Sequence, residues 1–153
     1  DDGHALLVPR SGDFTASLTF SGVYDTLYDQ AGLMVRSAPE SWTKFGVELM
    51  DGQPHLSVVV TRELSDWSTE PLPGFDPVTI RVTRLGGALL CQHRGRVPQD
   101  RIDADGWRLV RLAPCPTGSL AVGPYLCSPQ RQGFGARFED FRVTDPVVRD
   151  LHG

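Results

Sequence analysis

The sequence contains very little lysine, asparagine or isoleucine. Of its 15 basic residues, 14 are arginine and only Lys44 is lysine, while there is no asparagine and only Ile80 and Ile102 are isoleucine. This composition indicates a genome that avoids A/T-rich codons. Against such a bias the single lysine has two explanations. It is retained by chance, or it occupies a position where a compact ammonium cannot be replaced by the wide guanidinium fork.

Several partners have no support in the sequence. The net charge of −4 and the lack of a dense basic run argue against nucleic acid. No apolar run approaches the roughly 20 residues that a membrane-spanning helix needs, so no membrane partner is expected. Asp1 and Asp2 are acidic and no apolar segment follows them, so we expect no signal peptide.

The sequence contains few cysteines, and their spacing does not suggest pairs. Cys91, Cys115 and Cys127 are an odd number and form no CxxC motif. A disulfide framework or a zinc site is therefore not indicated. We expect reduced thiols and a cytoplasmic location, and we predict no metal and no cofactor.

What the chain does contain is a succession of short alternating segments separated by glycine and proline. This pattern, over 153 residues, predicts one all-β domain, an antiparallel β-sandwich or jelly roll, over residues 1–144 with a C-terminal tail over 145–153. The predicted strands are 14–21, 31–36, 42–50, 56–62, 78–85, 88–94, 107–113, 120–127 and 136–144. The expected core residues are Phe45, Val47, Leu49, Val78, Ile80, Val82 and Phe141.

The strand over 42–50 is the most informative. Lys44 and Glu48 share one face of it and flank Gly46, with Cα atoms ~13 Å apart at a rise of ~3.3 Å per residue. Glycine inside a strand often marks the close approach of a ligand or of another backbone. The face is therefore either a groove with a donor and an acceptor, or a solvated surface with a weak Lys–Glu contact.

Aromatic and basic residues near this strand extend the candidate groove. Trp42 and Trp67 offer indole rings that can stack on a sugar, and Trp67, within Ser65–Ser68, is predicted to lie in a loop. The predicted ligand-binding residues are Gln30, Arg36, Lys44, Glu48, Asp66, Trp67 and Arg81.

A glycosidase would require a second carboxylate close to the first. The same-face neighbours of Glu48 are Gly46 and Met50, which are not acids, and the E-x-D-x-x-E pattern of jelly-roll glucanases is absent. Asp66 is the obvious partner from another strand, but nothing in the sequence brings it close. We therefore assign no catalytic residue.

A string of motifs from about Gly12 to Val143 resembles one family. The motifs are Tyr28–Arg36 (YDQAGLMVR), Trp42–Glu48 (WTKFGVE), Leu56–Arg62 (LSVVVTR), Ser65–Ser68 (SDWS), Ile80–Val82 (IRV), Asp105–Trp107 (DGW), Val122–Pro124 (VGP), Cys127–Pro129 (CSP) and Phe138–Phe141 (FEDF). They are similar to the regulation-of-enolase family, a group of unknown function. The resemblance implies a concanavalin A-like lectin/glucanase jelly roll with a concave polar groove, and it implies no settled activity. Family members begin with a further Trp-rich segment, so either this sequence is trimmed or an edge of the sandwich is missing from it.

Two main functions remain open at this stage. The first is a non-catalytic binding module for a carbohydrate or another polar small molecule. The alternative is a regulatory protein-interaction domain that acts on a metabolic enzyme, and a glycoside hydrolase-like enzyme is third.

Overall fold

The chain forms an all-β structure. A computed structural model describes residues 3–74, 77–95 and 105–149, and in these ranges it contains twelve strands and no helix. The strands are β1 (Gly3–Ala5), β2 (Val8–Arg10), β3 (Phe14–Gly22), β4 (Gln30–Ala38), β5 (Ser41–Met50), β6 (Gln53–Arg62), β7 (Leu64–Pro71), β8 (Val78–Leu85), β9 (Ala88–Arg94), β10 (Trp107–Pro114), β11 (Leu120–Cys127) and β12 (Ala136–Thr144). Every strand predicted from the sequence is present.

The strands form two antiparallel sheets packed face to face. The seven-stranded sheet has the order β1-β11-β4-β5-β6-β7, with β2 also paired to β11, and the five-stranded sheet has the order β10-β9-β8-β3-β12. This arrangement confirms the predicted antiparallel jelly-roll sandwich. No helix capable of crossing a membrane occurs in the described ranges.

The core lies between the two sheets and follows the alternation of the strands. Phe45 and Val47 from β5 and Ile80 and Val82 from β8 are almost fully buried there, because alternate side chains of each strand point inward. Five of the seven expected core residues belong to the core cluster: Phe45, Val47, Val78, Ile80 and Val82. Leu49 is buried but lies outside that cluster, and Phe141 is only partly buried against it.

Three strands were not predicted. Ser65–Ser68 was expected to be a loop but lies inside β7. The chain reverses at Glu63, which has a φ of 66°, and Leu64 pairs back with Arg62. Most of β7 is exposed and polar, so it lacks the apolar alternation that marks a strand. β1 and β2 have three residues each, which is too short for a period-two pattern.

The predicted C-terminal tail is described as far as Arg149, and its last four residues lie outside the described ranges. The described part contains no strand, and the backbone N–H of Val147 donates to the Thr15 hydroxyl at 3.1 Å. The domain boundary at 144 stays a prediction.

Candidate ligand-binding site

The candidate site lies on the outer face of the seven-stranded sheet, the face turned away from the core. Because Phe45 and Val47 point into the core, Lys44 and Glu48 point outward. Strand β4 runs antiparallel to β5 and pairs Gln30 with Glu48 and Met34 with Lys44. Outward-facing residues of both strands therefore meet on one surface.

Two glycines face each other in the middle of this surface. Gly32 of β4 is paired with Gly46 of β5. A Cβ atom on Gly46 would lie 2.0 Å from the carbonyl oxygen of Ala31, and one on Gly32 would lie 2.2 Å from that of Phe45. Gly46 is therefore required by the close approach of another backbone, one of the two explanations considered above. The pair also leaves a floor without side chains between Lys44 and Glu48.

Four hydrogen bonds connect five side chains on this face, which we call the polar row: Lys44, Gln30, Glu48, Ser57 and Trp67. Lys44 Nζ donates to Gln30 Oε1 at 2.9 Å, and Gln30 Nε2 donates to Glu48 Oε1 at 3.4 Å. The Ser57 hydroxyl donates to Glu48 Oε2 at 2.7 Å, and Trp67 Nε1 donates to Ser57 Oγ at 3.0 Å. Gln30 thus links the cation and the anion, which are not in direct contact.

The middle of the polar row is buried and its ends are accessible. Gln30, Glu48 and Ser57 are each at most 7% exposed, whereas Trp67 is 47% exposed. Buried polar groups are costly unless they are hydrogen-bonded, and these are. The middle therefore holds the face together, and a ligand would meet the Lys44 end or the indole of Trp67.

Lys44 lies among aromatic rings. Its ammonium is 4.9 Å from the ring centroid of Trp42 and 5.6 Å from that of Tyr125. Burial lowers the pKa of Lys44 below its usual value, although Coulombic attraction to Cys127 as a thiolate and to the Glu48 carboxylate opposes the shift. Burial also raises the pKa of Tyr125 well above its usual value, and the charge of Glu48 adds to that shift. The rings stabilise the cation through their negative faces.

A cavity of about 380 Å³ opens beside Lys44. Its volume is near the lower end of the range of small-molecule sites, roughly 300–1,000 Å³. The cavity is lined by Gly3, His4, Ala5, Leu7, Met34, Arg36, Trp42, Lys44, Tyr125 and Cys127. A second cavity of about 890 Å³ shares Gly3, His4 and Cys127 with it and extends along the segment 126–134.

Five of the seven predicted site residues lie on this outer face: Gln30, Arg36, Lys44, Glu48 and Trp67. Arg36 lines the cavity, and the other four belong to the polar row.

The structure places the other two predicted residues elsewhere. Asp66 alternates with Trp67 along β7, is paired with Val60 of the core face, and forms an ion pair of 2.5 Å with Arg111 of the other sheet. Arg81 belongs to β8 of the five-stranded sheet, where its Nε donates to Gln92 Oε1 at 2.7 Å. Neither side chain can contribute to this groove.

Asp29 anchors the end of the site next to Gln30. Its fully buried carboxylate accepts hydrogen bonds from the backbone N–H groups of Asp25 and Thr26 at 3.0 Å, from Ser128 Oγ at 2.6 Å and from Arg131 at 2.6 Å. Burial acts to raise its pKa, but the hydrogen bonds outweigh burial and hold the pKa well below the usual range. Asp29 therefore connects the turn before β4 to the segment that follows β11.

Sequence reasoning missed Ser57 and Tyr125. The alternation of Leu56, Val58 and Val60 could have placed Ser57 on the outer face, since those three are core residues. Tyr125 belongs to β11, which pairs with β4 across a large sequence separation, and no local signal gives that pairing.

Among the described residues, no group of three or more His, Cys, Asp or Glu side chains could hold a metal ion, and the absence of a metal stays a prediction.

A family model described as "Protein of unknown function (DUF1349)" matches residues 1–146 of the chain. The chain belongs to this family. Regulation of enolase protein 1 of Saccharomyces cerevisiae is 41% identical over 99% of this chain and 74% of its own length. The predicted family is thereby confirmed.

Solved structures support the same assignment of fold. A functionally unknown protein from Saccharomyces cerevisiae superimposes with a TM-score of 0.86 at 41% identity, over 97% of this chain and 77% of that one. A xylan beta-1,4-xylosidase from Bacillus halodurans C-125 superimposes with a TM-score of 0.74 at 16% identity, over 93% of this chain and 30% of that one. At so low an identity, the second likeness concerns the fold alone.

Proposed function

We propose that the DUF1349 chain is a non-catalytic binding module that holds a carbohydrate or another polar small molecule on the outer face of the seven-stranded sheet. The polar row beside the 380 Å³ cavity carries this proposal. Lys44 offers N–H donors, and Trp42 and Trp67 offer apolar ring surface. Polyhydroxy ring compounds complement these groups, because their hydroxyl oxygens accept hydrogen bonds and their ring faces are apolar.

The arrangement of acids favours binding over hydrolysis. Glu48 is buried and accepts hydrogen bonds from Gln30 and Ser57. Asp66, the second carboxylate considered for a glycosidase, lies on the opposite side of the sheet and pairs with Arg111. A retaining or inverting glycosidase needs two carboxyl groups flanking one bond, so this pair cannot supply the reaction.

The proposal includes a cytoplasmic location, which is supported only by the expected reduced thiols.

The experiment is a calorimetric titration of the wild-type protein with a panel of neutral and charged sugars and other polar metabolites. Trp42→Ala should weaken a binder about tenfold, because Trp42 lines the cavity and an aromatic contact is worth ~0.5–1.5 kcal/mol beyond its buried area. Leu109→Ala is the control: Leu109 is a large apolar residue that is 50% exposed and lies on the other sheet. If no compound in the panel binds, the proposal is wrong.

A second candidate, a regulatory protein-interaction domain, is favoured by one observation: the 41% identical relative is called Regulation of enolase protein 1. Purified enolase is therefore the partner to test. Co-elution of the two proteins in size-exclusion chromatography, with no small-molecule binder found, would replace the first candidate by the second.

A further inference from the structure

We propose that the cavity beside Lys44 takes an anionic ligand of about monosaccharide size, whose carboxylate or phosphate group lies between Lys44 and Arg36. This inference rests on the binding function proposed above and adds the charge and size of the ligand. Three observations support it: the charge of the residues that line the cavity, the absence of ion pairs for Lys44 and Arg36 among the described residues, and the volume of the cavity.

The lining is positive although the chain is acidic overall. Its described residues include Lys44 and Arg36, together with His4, and no Asp or Glu. In the whole sequence 19 acidic residues outnumber 15 basic ones, so the excess of cations in this lining is opposite in sign to the overall charge. A concave surface with cations and no acids concentrates positive potential where a ligand enters.

Lys44 lacks a direct counter-charge. Among the described residues its ammonium makes one hydrogen bond, to Gln30 Oε1, and no ion pair. Glu48 is reached only through the Gln30 amide. An ammonium carries three N–H donors, and only one of them has a hydrogen-bond acceptor among the described residues. A partly buried cation usually pairs with an anion, and here the cavity is where that anion can enter.

Arg36 is the second cation, and its guanidinium is also incompletely used. Within the described ranges its Nε donates to the carbonyl of Ala38 at 3.2 Å, and no ion pair involves its terminal nitrogens. Arg36 is paired with Trp42 and Met34 with Lys44, so Arg36 and Lys44 occupy diagonal positions on neighbouring strands. Diagonal Cα atoms are roughly 7–8 Å apart, within reach of two long side chains that converge on one anion.

The remaining walls define the rest of the ligand. Trp42 and Tyr125 form aromatic sides, and the cavity volume of about 380 Å³ admits one ring rather than a chain of rings. A single sugar-like ring bearing a carboxylate or a phosphate has this size and charge. Both groups present oxygen acceptors to an ammonium and to a guanidinium, so the structure specifies their shared chemistry.

The test uses three compounds with one ring and different charge: glucose, glucuronate and glucose 6-phosphate, with inorganic phosphate as a fourth probe. Calorimetry at about 50 mM salt should show at least one of the two charged sugars bound tenfold or more tightly than glucose. Its affinity should fall several-fold when the salt is raised to about 500 mM, because screening weakens charge contacts. Comparison of the two charged sugars identifies which acidic group is preferred.

Variants locate the anion. Arg36→Gln and Lys44→Met should each weaken the charged ligand at least tenfold. Arg142→Gln is the control, since Arg142 is exposed on β12 of the other sheet and its loss removes the same charge. If Lys44→Met does not fold, Arg36→Gln decides the question.

Each remaining outcome has one meaning. Glucose bound as tightly as both charged sugars overturns the anionic ligand and leaves the binding function standing. Inorganic phosphate bound as tightly as glucose 6-phosphate, or an equal loss in Arg142→Gln, also overturns it, because attraction is then unspecific. If neither these four probes nor the wider panel bind, the binding function itself is wrong and the inference falls with it.

Discussion

Replacing Gly46 by alanine should destabilise the domain strongly, because the bare floor of the site is a close contact between two backbones. The new Cβ would lie 2.0 Å from the Ala31 carbonyl oxygen and 2.7 Å from the Gly32 Cα. Carbon and oxygen normally approach to about 3.3 Å. Both obstructing atoms belong to the neighbouring strand, so no side-chain rotation can relieve the overlap.

The cost follows from what must move. Strands β4 and β5 would have to separate by roughly 1 Å at this point, and overpacking of this kind costs ~1–3 kcal/mol. Two ladder hydrogen bonds beside the glycine pair would also weaken, at about 1 kcal/mol each. The expected loss is about 3–5 kcal/mol, a large fraction of the stability of an ordinary domain. In a protein of this size it should lower the melting temperature by roughly 10 °C.

Urea unfolding followed by tryptophan fluorescence measures the loss. Gly87→Ala is the matched control, because Gly87 lies in the turn between β8 and β9 and the nearest atom to its added Cβ is 4.0 Å away. That variant should unfold like the wild type or slightly later. If Gly46→Ala stays within about 1 kcal/mol of the wild type, the strands are not held this closely and the explanation of the floor is wrong.

Two further predictions concern pH. Asp29→Asn should cost about 3 kcal/mol at pH 7 because the Arg131 pair and its hydrogen bonds are lost. Since the folded pKa of Asp29 is depressed, its contribution is complete above the unfolded value of about 3.9 and declines as the pH falls below it. Urea unfolding at pH 7 and pH 3 should show the gap to wild type narrowing, with the exposed Asp51→Asn as control, and an unchanged gap would contradict this account. His93 is 3% exposed and burial lowers its pKa, so wild-type stability should fall as the pH drops below about 6.5. His93→Leu should flatten that dependence between pH 7 and 5, while His55→Leu should keep it, and an equal slope in both variants would count against the buried neutral imidazole.

The sequence was sufficient for the parts of the site that depend on local order. Alternation within β5 placed Lys44 and Glu48 on one outer face. The register of β5 with β6 follows from the turn at Asp51 and Gly52, whose φ values of 51° and 71° suit a two-residue hairpin. That register sets Ser57 opposite Gly46, so this member of the polar row could have been predicted.

The predictions for Asp66 and Arg81 were wrong for different physical reasons. The sequence predicts a loop at Asp66, where neighbouring side chains have no fixed direction, whereas in strand β7 Asp66 must point away from Trp67. Arg81 was assigned to the correct strand but to the wrong sheet. Strand β8 pairs with β3 and β9, and pairing between strands distant in sequence has no local signal. The local sequence shows which face of a strand each side chain occupies. It does not show which strands are neighbours, because the packing of the whole chain decides that.

The same distinction bears on the single lysine. Composition alone left chance and necessity open, and the structure gives a physical reason for necessity. The Lys44 ammonium is 4.9 Å from the ring centroid of Trp42 and 5.6 Å from that of Tyr125, and it donates to the amide oxygen of Gln30. A compact ammonium suits a single acceptor, whereas a planar guanidinium is wider and suits a bidentate partner. The other 14 basic residues of the chain are all arginine, and this environment explains why position 44 is lysine.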